Sequence, residues 1–249
     1  MEEIDLRLGD CLEVMQTIPD KSIDLTVTSP PYDNLRTYNG YTFDFKGIAK
    51  HLYRVTKDGG VVVWVVGDAT INGSETGTSF RQALYFKDIG FNLHDTMIWE
   101  KTGSGALGSI LCYLQNFEYM FIFSKGKPKS INLICDRENV IKSGFVKVNS
   151  ALTAEKTFKN RIVERKPFGK RTNLWKIQPQ QKSLHPAPFP EKLVKDHIIS
   201  WSDENDTVLD CFLGSGTTAV VAKALNRKFI GIEISQEYLN IAKQRLTNG

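Results

Sequence analysis

The chain has 249 residues, 41% of them hydrophobic and 24% charged, with 4 cysteines and a formal net charge of +4. That usage is ordinary for a globular fold with a substantial core, and no apolar run approaches the ~18 residues of a membrane span. The acidic start Met1-Glu2-Glu3-Ile4-Asp5 lacks the apolar stretch of a secretion signal, and Cys11, Cys112, Cys135 and Cys211 form no CxxC pair, which argues against a disulfide framework or a zinc site.

A reducing, cytoplasmic protein that uses no metal is therefore expected. The charge is uneven: residues 125–183 hold 15 Lys and Arg against 4 Asp and Glu, a balance of +11, while the rest holds 17 against 24, or −7. A basic third on an acidic scaffold suggests a segment that binds a polyanion.

Ile4 to Leu8 alternates apolar and polar residues and reads as a strand. Gly9-Asp10-Cys11 ends it, a helix runs from Leu12 to Ile18, and Ile23 to Val27 is an apolar run that reads as a buried strand. Two strands joined by a helix make a βαβ unit. The second strand runs into Thr28-Ser29-Pro30-Pro31-Tyr32. The prolines forbid strand continuation and fix the backbone. Ser29 and Tyr32 are then held at a strand's carboxyl end, where open α/β sheets place their chemistry. A polar acceptor and an aromatic plate on a rigid turn suit a flat heterocycle with an exocyclic amine. The plainer reading is a Pro-Pro loop with Tyr32 packed at its rim.

Asp33 to Phe43, with Arg36 and Tyr38, follows neither structural period and reads as a loop beside that turn. A helix is expected over 45–56, stopped by Asp58-Gly59-Gly60. Val61 to Val66 is wholly apolar, as a strand buried on both faces would be. A helix over 78–89 and strands over 94–100 and 117–123 follow. Residues 125–183 offer scattered aromatics at Phe145, Phe158, Phe168 and Trp175 but few long apolar runs, so short elements and long loops are expected there. After His185-Pro186-Ala187-Pro188-Phe189-Pro190 come a helix over 191–200, a strand over 207–209, a helix over 217–225, a strand over 229–234 and a helix over 236–246. Residues 1–124 and 184–249 are thus expected to form one body, with 125–183 as an insert.

Asp210-Cys211-Phe212-Leu213-Gly214-Ser215-Gly216 lies between a strand and a helix, where glycines let the backbone turn tightly and approach a ligand. Glu233, 19 residues after Gly214 at the end of the next strand, is placed to accept ribose hydroxyls. Thr217-Thr218 follow the second glycine, with no third glycine before Gly231 and no phosphate-binding lysine. This favours a nucleoside without phosphates, such as S-adenosylmethionine, over a dinucleotide. A tight βα turn with no ligand is the alternative.

With Thr28-Ser-Pro-Pro-Tyr32 and Asp210-x-Phe-x-Gly-x-Gly216 both read, the chain resembles the DNA amino-methyltransferases, which methylate N4 of cytosine or N6 of adenine. The order of catalytic motif, basic insert and cofactor motif is similar to the beta class, over residues 4–124 and 184–246. The resemblance implies a doubly wound, mostly parallel, seven-stranded Rossmann-like α/β sheet with one antiparallel strand, and a target-recognition insert. It implies S-adenosylmethionine as cofactor, with Phe212, Gly214 and Gly216 on its methionine and ribose side, Glu233 on its ribose and Asp10-Cys11 at its adenine. His185-Pro186 and Phe189-Pro190 would lie near its methionine. Many adenine enzymes of the class have Lys where Phe189 stands. Asp210, Ser215, Thr217, Thr218 and Ser29 complete the expected cofactor contacts. Two residues have plainer readings: Asp10 as a helix cap and His185 as a packed loop residue.

The chemistry expected at Ser29, Pro30, Pro31 and Tyr32 follows from the amine. Its lone pair is delocalised into the ring. Acceptors at its hydrogens, Ser29 Oγ and the Pro30 carbonyl, would draw the nitrogen toward a tetrahedral geometry for in-line attack on the sulfonium methyl. Tyr32 would stack on a base flipped out of the duplex. No covalent intermediate is needed. A cytosine-C5 enzyme is excluded, because none of the four cysteines follows a proline; Glu138-Asn139-Val140 matches a tripeptide of that family by chance.

In the resembled family, serine at the first position of the tetrapeptide leans toward N4-cytosine, which is the expected target, with N6-adenine as the alternative. A methyltransferase acting on RNA or protein amines and a silent DNA-binding module are the remaining readings. Double-stranded DNA is the expected partner, contacted by Arg36, Tyr38, Arg161, Arg165, Lys170, Arg171, Asn173 and Gln178. A cognate restriction endonuclease is a further expected partner, with the enzyme a monomer or homodimer.

Overall fold

The computed structural model describes residues 3–31, 43–102, 113–151, 158–180 and 189–248, with the backbone alone for 148–151, 158–161 and 248. Two compact units emerge, one of residues 1–132 with 173–249 and one of residues 133–172.

The first unit begins with β1 (Ile4–Leu8), α1 (Cys11–Gln16), β2 (Ile23–Thr28), α2 (Phe45–Val55) and β3 (Thr56–Val66). Asp44 caps α2 by accepting from Gly47 N at 3.0 Å, and Ile48, Ala49, Leu52 and Val55 give that helix one buried stripe. A hairpin of β4 (Thr70–Ile71) and β5 (Ser74–Glu75) turns at Asn72-Gly73, both with positive φ. Then come α3 (Thr78–Asp88), β6 (Asn92–Lys101) and β7 (Phe117–Ser124).

The second unit carries β8 (Arg137–Glu138), β9 (Phe145–Ala151), β10 (Phe158–Glu164) and β11 (Phe168–Gly169). β9 and β10 form an antiparallel ladder, and β8 pairs with β11. The Arg171 guanidinium forks onto both oxygens of Asp136, which closes the unit on itself. The chain returns to the first unit with β12 (Leu174–Ile177), α4 (Glu191–Trp201), β13 (Thr207–Asp210), α5 (Thr217–Ala224), β14 (Lys228–Glu233) and α6 (Gln236–Asn248).

The large sheet has the order β1-β14-β13-β2-β3-β7-β6-β12. Every pairing is parallel except those of β7, which runs antiparallel to both β3 and β6. Among the described residues it is a mostly parallel α/β sheet with one reversed strand, as expected, but with eight strands where seven were expected. The eighth is β12, which comes from the stretch 125–183. Trp175 and Ile177 alternate into the core there, and Trp99 Nε1 donates to Ile177 O at 2.8 Å.

The two faces of the sheet are covered separately. Val61, Val63 and Val65 of β3 pack on the side of α4, α5 and α6, whereas Val62, Trp64 and Val66 pack on the side of α1, α2 and α3. This double burial is why the strand reads as an unbroken apolar run. The stop expected at Asp58-Gly59-Gly60 falls inside β3. The extra residues bulge where the register with β2 shifts between Ile23 and Leu25, and Gly59 N donates to Lys125 O at 2.7 Å. No helix of the described residues is long and apolar enough to cross a membrane.

Candidate active site

Four neighbouring parallel strands, β1, β14, β13 and β2, deliver the sequence-expected residues to one edge of the sheet, their carboxyl ends. Leu8 is level with Glu233, Asp210 with Gly231, and Leu209 with Thr26. Asp10, Glu233, the 210–218 loop and Ser29 therefore lie side by side on that edge, as βα sites do in open sheets.

The Ser29-Pro30-Pro31 turn leaves β2 at Thr28, which is fully buried. Its hydroxyl donates to Asp210 Oδ1 at 2.7 Å. Ser29 and Pro31 are half-buried and Pro30 is buried. Tyr32 lies outside the described residues, as do Arg36, Tyr38, His185 and Pro186.

Asp210 is buried, and donors converge on both of its oxygens: Thr28 Oγ1 and Phe212 N (3.1 Å) on Oδ1, and Thr218 Oγ1 (2.7 Å) on Oδ2. Burial pushes its carboxyl up to about 6, against the downward pull of those three donors. Its role is therefore bracing: it joins the end of β2 to the 210–218 loop and to α5.

Glu233 is also buried. Its Oε2 accepts from Gly214 N and its Oε1 from Ser235 N, both at 2.8 Å. Burial raises its carboxyl above the ordinary range, and the Ser235 and Gly214 N–H groups oppose that. A carboxylate accepts up to about four hydrogen bonds, so it retains capacity for hydroxyl donors from a ribose. Gly216 has φ 82°, and a Cβ there would meet the Ala242 Cβ of α6 at 2.6 Å. Ser215, Thr217 and Thr218 are buried behind the loop. Phe212 is half-buried with Phe43 against it edge-on at 5.9 Å. Asp10 caps α1, accepting from Leu12 N at 2.8 Å, and Gly9 N donates to Glu233 O at 3.0 Å. The Cys11 thiol is pushed up to about 12 by burial and by the adjacent Asp10 carboxylate. A thiol so raised is neutral near pH 7 and a poor nucleophile.

These residues fit S-adenosylmethionine. They provide a carboxylate with acceptor capacity, a glycine loop no side chain could occupy at Gly216, and no lysine for a phosphate. Sequence reasoning missed two participants. Thr28 was passed over because its partner is 182 residues away. Arg245, whose guanidinium bonds the loop at Ser215 O (2.9 Å), stands at the end of a helix where a basic residue is unremarkable.

The expected DNA contacts are dispersed. Arg165 and Lys170 line an open hollow of about 550 Å³ within the 133–172 unit, together with Asn139, Lys166 and Phe168. Arg171 is engaged by Asp136 in that unit, and the Arg161 side chain lies outside the described residues. Asn173 lies in the sheet unit, where its amide donates to Thr96 O at 3.1 Å and its carbonyl accepts from Ile98 N at 2.9 Å, so it secures the β12 edge. Gln178 is exposed just after β12.

A doubly wound sheet with a Ser-Pro-Pro turn next to a nucleoside-type loop has the makings of a methyl-transfer site. The chain belongs to the DNA methylase family of N6 and N4 amino-methyltransferases, whose model matches residues 23–244, and its motif order is that of the beta class. It is 57% identical over 244 residues to the orphan methyltransferase M.BamHII of Bacillus amyloliquefaciens, covering 94% of this chain and 92% of that one. Among solved structures, a PvuII DNA methyltransferase described as cytosine-N4-specific superposes with a TM-score of 0.71 at 23% identity, covering 97% of this chain and 86% of that one. The M1.HpyAVI complex with S-adenosylmethionine gives 0.65 at 22% identity, covering 98% and 100%. The protein is a DNA methyltransferase, and its cofactor is S-adenosylmethionine.

Proposed function

We propose that this enzyme methylates N4 of cytosine at a specific sequence in duplex DNA, acting on a base flipped out of the helix. The observation that carries this reading is Ser29, at the first position of a Ser-Pro-Pro-Tyr turn whose preceding residue is bonded to the cofactor loop through Asp210. S-adenosylmethionine supplies a methyl group on a sulfonium. The chain's own part is to orient the amine. Ser29 Oγ and the Pro30 carbonyl accept its two hydrogens, the two prolines keep those acceptors from moving, and Tyr32 stacks on the ring. Glu233 holds the ribose, Asp10 and Cys11 border the adenine, and the 210–218 loop follows the methionine side. Arg165, Lys166 and Lys170 meet phosphates.

Mass spectrometry of digested, enzyme-treated DNA is expected to show N4-methylcytosine, and N6-methyladenine alone would refute the choice of base. Ser29→Ala is expected to lose at least about a hundredfold in kcat with cofactor affinity changed by less than about threefold. Tyr32→Ala should likewise lose turnover and retain cofactor. Wild-type rates in either variant would overturn the mechanism.

A further inference from the structure

We propose that Arg245 is a positioning residue for the cofactor: one guanidinium on α6 holds the 214–217 loop in its binding shape and ties it to the first turn of α4. The inference rests on reading that loop as the cofactor cradle. Asp210 braces the loop's flanks through Phe212 N and Thr218 Oγ1, but residues 214–217 themselves have little to stiffen them from within. Gly214 and Gly216 both have positive φ, at 54° and 82°, and Gly216 N to Leu213 O, at 3.1 Å, is a bond across its own turn. Its shape is therefore imposed by neighbours. Glu233 anchors one end at Gly214 N.

Arg245 anchors the other. Nη1 lies within reach of Ser215 O at 2.9 Å, Thr217 Oγ1 at 3.1 Å and Ser215 Oγ at 3.3 Å, while Nη2 donates to Glu191 Oε1 at 3.1 Å. Ala242, one turn earlier on α6, is the residue against Gly216. Positions three apart share a helix face, so this face of α6 is given over to the loop. Glu191 opens α4 directly after the 185–190 segment expected near the cofactor's methionine. A planar fork holds two nitrogens in fixed directions, one toward the loop and one toward Glu191, which a lysine's single ammonium cannot do. Arg245 and Glu191 are both partly exposed, and so exposed a pair adds little to global stability. The consequence of losing it should therefore fall on the loop rather than on folding.

The test is calorimetric titration of Arg245→Met, Arg245→Lys and Glu233→Gln with S-adenosylmethionine, alongside kcat and KM for the cofactor and thermal melts. Arg245→Met is expected to raise cofactor Kd and KM about tenfold, the equivalent of about one hydrogen bond. Its kcat at saturating cofactor should stay within about twofold and its melting temperature close to wild type. Arg245→Lys should recover part of the affinity. Unchanged cofactor affinity in folded Arg245→Met, with Glu233→Gln weakened, overturns the role of Arg245 alone. Unchanged affinity in Glu233→Gln overturns the cradle itself, and the inference with it.

Discussion

A carboxylate shut away from water keeps its charge only if donors surround it, and Asp210 keeps three within 3.1 Å. They do not fully offset burial, since the group titrates near 6 against about 3.9 in an unfolded chain. The folded state therefore holds that proton more tightly. The stability this contributes is complete below about pH 4 and is lost as pH rises through about 6. Asp210→Asn retains the shape without titrating, so its unfolding free energy should be flatter over that window by about 2–3 kcal/mol. Denaturant titrations with the same pH slope as wild type would contradict this. Reactivity gives a second test. Cys135 is exposed, whereas burial raises both Cys11 and Cys211. Peptide mapping after iodoacetamide at pH 7.5 should find Cys135 labelled well before either of them, and early labelling of Cys11 would mean its thiol is not held neutral. Glu233 and the glycines were legible because the length of a βα unit fixes their spacing. The Thr28–Asp210 brace was not, because only strand order makes those residues neighbours.

Among the elements, α6 does more than cover the sheet. Its Ala242 Cβ lies 2.6 Å from where a Cβ on residue 216 would be. Gly216→Ala should cost stability and cofactor affinity together. Adding Ala242→Gly should recover only part of the loss, because about 1–2 kcal/mol of the cost comes from a non-glycine residue at φ 82°. Full recovery in the double variant, read by thermal melts, would show that crowding was the whole cost. Periodicity located α2 to α6 and six strands of the large sheet to within a residue or two at most ends, since their apolar patterns are long. It misjudged β3, whose diglycine reads as a stop but forms a bulge bonded to Lys125. It also missed β12, four residues with only Trp175 and Ile177 facing inward. The Asn72-Gly73 hairpin carried a recognisable turn signal that was overlooked.

For the whole molecule, the uneven charge maps onto chain organisation. Residues 133–172, the compact unit, carry 10 Lys and Arg against 4 Asp and Glu. Lysines at 125, 127 and 129, which open the basic stretch 125–183, belong to the sheet unit. If the unit meets phosphates, DNA affinity should fall steeply between 50 and 200 mM salt. Lys170→Ala and Arg165→Ala should each reduce the log–log slope by about 1 and weaken binding alike on different sequences. A slope unchanged in both variants would place the phosphate contacts elsewhere.

The sheet order carries a consequence for synthesis. β1 pairs with β14, and the loop after β13 is closed by α6. β1 must wait for β14, more than 200 residues later, and the cofactor cradle for Arg245 of α6. A nascent chain can thus carry the Ser29-Pro30-Pro31 turn and the 133–172 unit while its cofactor cradle is still incomplete. Ribosome-arrested chains should gain S-adenosylmethionine binding only after β14 has emerged with Glu233, and reach full affinity once Arg245 of α6 follows.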